Sequence, residues 1–323
     1  QFAQEYFHKS VHRKVAASRP LYDLAMLVAE DDIAPPSNKR ALKKFIVAGE
    51  RAGFWVEVIS PQDISRLPAF DALFIRENTA VNHHTYRFAR RAQSEGLAVI
   101  DSPDAILRCN NKVYLAELLE NHGIATPRTK IINRDIAEKV VTDIGYPVVV
   151  KVPDSTFSLG VKKASNEVEF HEIAKEMFER SDLLVVQEYL PTDFDWRIGI
   201  LDNRPLFACK YFMARGHWQI YNWSEKKASQ QSGDAECVAI SDVPKRVVQL
   251  ALRAVKLIGD GLYGVDVKEV NGRTVVIEVN ENPNVDAGVE DKLTGDSLYL
   301  AIMNSLRDRV EARRARIERS VVM

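Results

Sequence analysis

Tyr263-Gly264-Val265-Asp266-Val267-Lys268, followed by Val275-Val276-Ile277-Glu278-Val279-Asn280-Glu281-Asn282-Pro283, is the stretch on which the reading of this chain turns. The two halves read as paired strands. Glu278 and Asn280 are two residues apart, so in a strand their side chains leave the same face. Asp266 sits on the preceding strand. Two carboxylates and a carboxamide offer oxygen donors, the set that suits a hard cation such as Mg²⁺. The plainer alternative is a surface hairpin with ordinary charges.

Register decides between these. Asn271-Gly272 alone suggests a two-residue turn, but that turn sets Asp266 opposite Ile277 and Val265 opposite Glu278, mixing acids and apolar residues on both faces. A three-residue loop, Val270-Asn271-Gly272, pairs Glu269 with Arg273 instead. Val265, Val267, Val275, Ile277 and Val279 then share one face, and Asp266, Lys268, Glu278 and Asn280 share the other. A slip of one residue would bury the acids, so the pattern predicts the three-residue loop.

The 323 residues are enough for two or three domains with sizeable cores. Hydrophobic residues at 46% and charged residues at 28% fit a globular protein. A net charge of −1 gives no global field for nucleic acid or an anionic membrane. No apolar run reaches the length of a membrane span, and no signal peptide is in view. Cys109, Cys209 and Cys237 fit neither a disulfide framework nor a zinc motif. They read as small buried hydrophobes in a reducing cytoplasm. Residues 1–18 are basic and read as the tail of an upstream segment.

Strands are expected at 21–28, 55–59, 71–75 and 98–100, alternating with helices at 38–52 and 84–94. That order implies a parallel, doubly wound sheet over 19–107. No Gly-x-Gly-x-x-Gly follows the first strand, so dinucleotide binding has no support. Beyond it the pattern predicts a helix at 112–122, strands at 128–132, 148–152, 161–164 and 183–189, and helices at 136–144 and 166–179, the latter opened by an Asn166/Glu169 capping box. An antiparallel meander over 196–223, a helix at 243–258, the acidic hairpin and a C-terminal helix from 297 complete the chain.

Four further features precede the hairpin. Asn111-Lys112 opens a helix. Val148-Val149-Val150-Lys151 is a buried strand ending in lysine, followed by Asp154-Ser155-Thr156-Phe157-Ser158-Leu159-Gly160. Val185-Val186-Gln187-Glu188-Tyr189-Leu190 is a strand running into a linker. Asp195-Trp196-Arg197 opens the next strand. In this order, with the Asp…Glu-x-Asn hairpin behind them, residues 20–305 resemble the ATP-grasp ligases, and within them the RimK and glutathione-synthetase branch of carboxylate–amine ligases. The fold implied is α/β (α+β): a Rossmann-like pre-ATP-grasp domain at 19–107, a central subdomain with a lid at 108–187 and a C-terminal subdomain at 188–323.

The resemblance implies ATP and Mg²⁺ as cofactors, two ions bridged by the glutamate, with Mn²⁺ as a substitute. Lys112 and Lys151 match lysines on the α and β phosphates, where cations offset phosphate desolvation. Ser155 and Gly160 belong to the loop that closes over the phosphates through backbone N–H groups. This loop is poorer in glycine than the family's usual lid. Backbone groups of Glu188 and Tyr189, with Leu190 beside them, would read adenine. Asp195 looks like the ribose acid and Asn222 like an asparagine near phosphate and metal, although Trp223 follows where the family often has a basic stretch. Asp266, Glu278 and Asn280 match the metal ligands.

Arg197 and Lys210, on neighbouring strands expected to face one cleft, are the candidates for stabilising the transferred phosphoryl group. Arg76, at the carboxyl end of a strand in the first domain, is a candidate for a substrate carboxylate, and Asn282 for a nearby ligand. Asn82 reads as a helix cap, with His83 and His84 exposed beside it. Arginines 307, 309, 313, 314, 316 and 319 read as a solvated helix face.

The reaction implied is ADP-forming amide synthesis through an acyl phosphate, on an amino acid, peptide or protein tail. Glutamate addition is what RimK suggests. A homo-oligomer stays open. The competing readings are a nucleotide-binding protein without ligase activity, motivated by the glycine-poor lid, and an RNA- or ribosome-binding module built on the last helix.

Overall fold

The computed structural model describes residues 20–29, 32, 34–135, 143–154, 160–220 and 232–321. Its first layer is a four-stranded parallel sheet in the order β2-β1-β3-β4, made of Tyr22–Leu27 (β1), Phe54–Ile59 (β2), Ala72–Ile75 (β3) and Ala98–Ile100 (β4). Alternate residues of β1 feed two cores. Leu24 and Met26 pack with Phe45 of helix α1 (Lys39–Arg51), and Ala25 and Leu27 pack with Phe88 of helix α2 (His84–Glu95). Burial on both faces is what a parallel sheet requires. Asn38 caps α1, its side chain accepting from the Ala41 amide. At α2 the cap is His83, not Asn82.

Among the described residues, one α-helix and two 3₁₀ helices, Pro61–Ala69 and Ile240–Asp242, lay outside the sequence expectations. Pro103–Asn110 (α3) is capped by Ser102, with proline in its first turn, a start signal that Ser102-Pro103 already carried. It is followed directly by Lys112–Asn121 (α4), capped by Asn111.

The second sheet is antiparallel, ordered β5-β8-β6-β7 from Thr129–Ile132 (β5), Val148–Lys151 (β6), Val161–Ala164 (β7) and Leu184–Glu188 (β8). Helix α5 (Glu167–Met177) covers one face through Phe170 and Ala174. The helix expected at 136–144 lies largely outside the described residues.

The third sheet is antiparallel with order β11-β10-β9-β12-β13, built from Phe194–Leu201 (β9), Arg204–Phe212 (β10), Ala235–Val238 (β11), Leu262–Val270 (β12) and Arg273–Asn280 (β13). Helix α6 (Lys245–Val255) packs on the face that carries Ile198, Val265, Val267, Val276 and Val279. The last helix, Asp296–Val321 (α7), returns to the first layer. Its stripe of Tyr299, Ile302, Met303, Leu306 and Val310 joins the core of Leu24, Phe45 and Phe74, together with Leu201, Phe207 and Leu262 of the third sheet.

The hairpin register departs from the expected one. Val270 pairs with Arg273 across a two-residue Asn271-Gly272 turn, both residues at positive φ, 51° and 76°. A bulge then shifts the ladder by one residue between Val267, opposite Val276, and Asp266, opposite Glu278. The turn keeps its favoured length and the acids still share a face, because Ile277 is the extra residue. Ile277 therefore lines the cleft instead of joining the core face, and Val276 takes the core position.

The cysteine expectation is also corrected. Cys209 and Cys237 form a disulfide between β10 and β11, where the register sets them directly opposite each other. Only Cys109, among the described residues, is the buried free thiol expected. No described helix is long and apolar enough to cross a membrane.

Candidate active site

A cleft of about 220 Å³ lies where the bare faces of the second and third sheets meet the loops of the first layer. On the second sheet, strand alternation sends Val148 and Val150 into the core beneath α5 and turns Val149 and Lys151 into the cleft. The Lys151 ammonium donates to Gln187 Oε1 at 2.8 Å. Burial pulls it down to about 8, against the pull of Glu278 in the other direction, while Lys112 adds like-charge repulsion. Lys162 and Lys163 separate as alternation demands. Lys162 pairs with Glu176 on α5 at 2.6 Å, and Lys163 lies 4.8 Å over the Tyr189 ring and 5.8 Å over that of Trp218.

The hairpin supplies the opposite wall. Asp266, Glu278 and Asn280 all line the cleft, with Asn280 Nδ2 3.4 Å from Asp266 Oδ2. Lys112, at the start of α4, reaches Glu278 Oε1 at 3.3 Å. Burial raises Glu278, but Lys112 and Lys151 outweigh it and leave the carboxyl below its ordinary value. Asp266 stays above its ordinary value, because burial exceeds the effect of Arg197, whose Nε and Nη2 grip both carboxylate oxygens, Nη2 at 2.9 Å from Oδ2. Asp195 is buried and accepts from Lys268 Nζ at 2.5 Å and from Thr192 Oγ1 at 3.1 Å. Two carboxylates and a carboxamide converging beside lysines form an oxygen donor set that fits a hard divalent cation.

Several expected positions fall elsewhere. Lys210 does not face the cleft. It pairs in register with Trp196, the neighbour of Arg197, and directly paired residues share a face. Its ammonium sits over the Phe194 and Trp196 rings and 3.5 Å from Glu236. Tyr211, one residue further on, is the one under Arg197, 5.0 Å from the ring centre to the guanidinium.

Arg76 is fully buried and cannot meet a substrate carboxylate in this arrangement. Its guanidinium donates to Ser37 Oγ, to the carbonyls of Pro36 and Pro283 and, at 2.7 Å, to Asn282 Oδ1. Asn282 also donates to the Glu77 carbonyl at 2.7 Å, so both ends of its amide join the first layer to the hairpin. The Glu188 and Tyr189 amides are taken by the carbonyls of Arg128 and Pro147 at 2.8 and 3.3 Å, and the Glu188 side chain is held by Arg273. Both residues and Leu190 line the cleft, but neither of those two N–H groups is open to a base. Gly160 adopts φ 77° and accepts from the Val152 amide. Ser155 and Asn222 lie outside the described residues.

The sequence reading missed a polar end of the cleft. Thr79 Oγ1 and Asn110 Nδ2 both donate to Glu281 Oε1, at 2.6 and 2.5 Å. Burial lifts Glu281 to about 7. Lys268 carried a signal, since it lies two residues from Asp266 on the same strand. Thr79 and Asn110 carried none, because only the packing of the first layer brings them to Glu281. The arginines of α7 are not all solvated. Arg309 is partly buried and pairs with Asp202 at 2.5 Å, whereas Arg314, which pairs with Asp71 at 2.6 Å, stays exposed as expected.

A cleft gripped between two antiparallel sheets, with lysines on one wall and metal-type oxygens on the other, behind a parallel α/β layer, defines the class. This is an ATP-grasp ligase of RimK-like type, an enzyme that uses ATP. Residues 116–288 match the family described as D-ala D-ala ligase C-terminus, and the chain belongs to that family. Among sequence relatives, a probable alpha-L-glutamate ligase of Saccharophagus degradans is 26% identical over 284 residues, covering 82% of this chain and 91% of the relative. A protein of the same description from Vibrio vulnificus is 26% identical, with 77% and 85% covered. Among solved structures, the D-alanine–D-alanine ligase of Bacillus anthracis complexed with ATP superposes with a TM-score of 0.65 at 16% identity, covering 93% of this chain and 99% of that one. A RimK domain ATP-grasp protein of Sphaerobacter thermophilus gives 0.64 at 17%, covering 88% and 98%. These likenesses establish the ATP-grasp fold.

Proposed function

We propose that this protein joins a carboxylate to the amino group of an amino acid, with L-glutamate as the amino acid added, at the expense of ATP cleaved to ADP. The observation that carries the reading is the contact of Lys112 with Glu278 at 3.3 Å, with Lys151 lining the same cleft, which brings cations and oxygen donors together to serve one polyphosphate. The names of the sequence relatives support glutamate.

In this reading the substrate carboxylate attacks the γ-phosphorus, ADP leaves, and the amine displaces phosphate from the acyl phosphate. No protein nucleophile is required. Catalysis comes from positioning and from charge. Lys112 and Lys151 hold phosphate oxygens, Asp195 takes the ribose hydroxyls, and the strand end at Glu188–Leu190 walls the base. Asp266, Glu278 and Asn280 would hold magnesium, one or two ions, which when bound neutralises the charge on the phosphates. Arg197, which grips Asp266 in this structure, would be the guanidinium available to the transferred phosphoryl group were Asp266 to take up a metal ion. The parts at 19–107, 108–187 and 188–323 act as acceptor wall, lid-bearing half and metal-bearing half. We place the enzyme in the cytoplasm, where ATP is available; the Cys209–Cys237 bridge is the feature that departs from that setting.

The test is ADP release by purified protein with Mg²⁺, ATP and L-glutamate, each with a panel of carboxylate donors. ADP and phosphate are expected in step with amide, and Glu278→Gln should lower the rate at least a hundredfold. Release of AMP would overturn the reading, as would full activity in Glu278→Gln.

A further inference from the structure

Outside the magnesium position, the first layer carries a second group of donor atoms, different in kind. One ligand atom from each of Glu77, His83 and His84 lies within 4.8 Å of the others. Glu77 follows the carboxyl end of β3 and is buried. His83 is the extended cap of α2, at φ −98° and ψ 162°, and His84 is the first helical residue. That change of backbone conformation between neighbours brings the two rings to one place, with centroids 3.9 Å apart. His84 Nε2 meets Glu77 Oε1.

The tautomer of His83 follows from its neighbour. Thr85 Oγ1 donates its proton to the Asn78 carbonyl at 3.4 Å, so it accepts from His83 Nδ1 at 3.1 Å. Nε2 then carries the lone pair. An imidazole held through Nδ1, with its lone pair left on Nε2, is the arrangement metal-binding histidines take. Two imidazoles and one carboxylate form a set that suits zinc and its neighbours, with a fourth position left for water or another ligand. Magnesium, which prefers oxygen, is a poor match.

We propose that Glu77, His83 and His84 bind one borderline divalent cation of the zinc class, at a site chemically distinct from the oxygen-lined one on the hairpin. The ion has a structural consequence. The Glu77 carbonyl accepts from Asn282 at 2.7 Å, and Asn78 and Thr79 line the cleft. A cation fixing Glu77 to α2 therefore stiffens the first-layer wall of the ligand cleft. This does not depend on which substrate the cleft takes.

The test uses the full chain, stripped of metal and titrated with Co²⁺ in millimolar Mg²⁺. One equivalent is expected to give the intense visible bands of a four- or five-coordinate nitrogen-containing site. His83→Gln and Glu77→Gln should each weaken that binding at least tenfold, and Thr85→Val, which removes the acceptor of His83 Nδ1 together with the long bond to the Asn78 carbonyl, should weaken it severalfold. Asp266→Asn should leave the bands in place. Circular dichroism of the metal-free variants checks the fold, and His83, a partly exposed cap that makes no side-chain cap bond, is the substitution least able to disturb it. Only weak octahedral bands, or intense bands that survive His83→Gln and vanish in Asp266→Asn, would overturn the proposal. Loss of ligase activity would not bear on it, because the readout is the cobalt spectrum.

Discussion

Lys151 shows how one residue's setting governs a ligand site. Burial holds its ammonium near 8, below the ordinary 10.5. Below pH 8 both folded and unfolded chains carry the proton, and the desolvation cost is fully present. Between about 8 and 10.5 the unfolded chain binds the proton and the folded one does not, so this group's contribution to stability rises with pH. Phosphate binding has the opposite sign, since the anion binds the charged form. The KM for ATP is therefore expected to climb through pH 8–9, approaching roughly tenfold per unit, and Lys151→Met should show a high KM with that rise removed. A wild-type KM flat from pH 7 to 9.5 would contradict this role. The lysine itself was legible as the polar end of a valine run. The Gln187 that receives it was not, because the two meet only across the β6–β8 ladder.

At the scale of the element, the β12–β13 hairpin solves a conflict that its sequence states openly. Asn271-Gly272 demands a two-residue turn, and the acids demand a register that this turn does not give. The bulge at Ile277 satisfies both. Deleting Ile277 leaves Glu278 opposite Asp266 and Val279 opposite Val265 in an unbroken ladder, so the variant should stay folded. Its thermal midpoint should remain within a few degrees of wild type, while the loss of an apolar cleft wall weakens ATP binding roughly tenfold, on the order of 1–2 kcal/mol. Failure of that variant to fold would show that the bulge sets the register instead of accommodating it. The expected loop of three residues missed this because alternation reports which faces residues prefer, not where an extra residue is absorbed. The same limit applies to Lys210. Strand period alone does not say which residue of the partner strand it stands beside, and the partner proved to be Trp196.

In the whole molecule, Arg76 acts as a fastener between layers. It links the first sheet to Pro36, Ser37, Asn282 and Pro283, with no exposed surface. Arg76→Leu should cost more than about 3 kcal/mol in a urea titration, since several buried acceptors lose their donor together. A substrate-binding arginine would instead leave stability unchanged and raise only a KM. Helix α7 closes the same junction from the outside, with its apolar stripe against the first sheet and Arg314 on Asp71.

Local chemistry along the chain was sufficient for most of the order of elements, with Pro103–Asn110 the exception, for the parallel first sheet, for Lys151 and for placing the acids at 266 and 278 on one face, because periodicity, caps and charged residues ending apolar strands are properties of neighbours in sequence; Lys112 was marked by the family resemblance. The packing of distant segments decided the rest: the Cys209–Cys237 pairing, the inward turn of Arg76, the facing of Lys210 and the meeting of Thr79, Asn110 and Glu281. Those depend on which strand lies beside which and on the register between them, and such contacts are settled by burial summed over the whole core, not by any one stretch of residues.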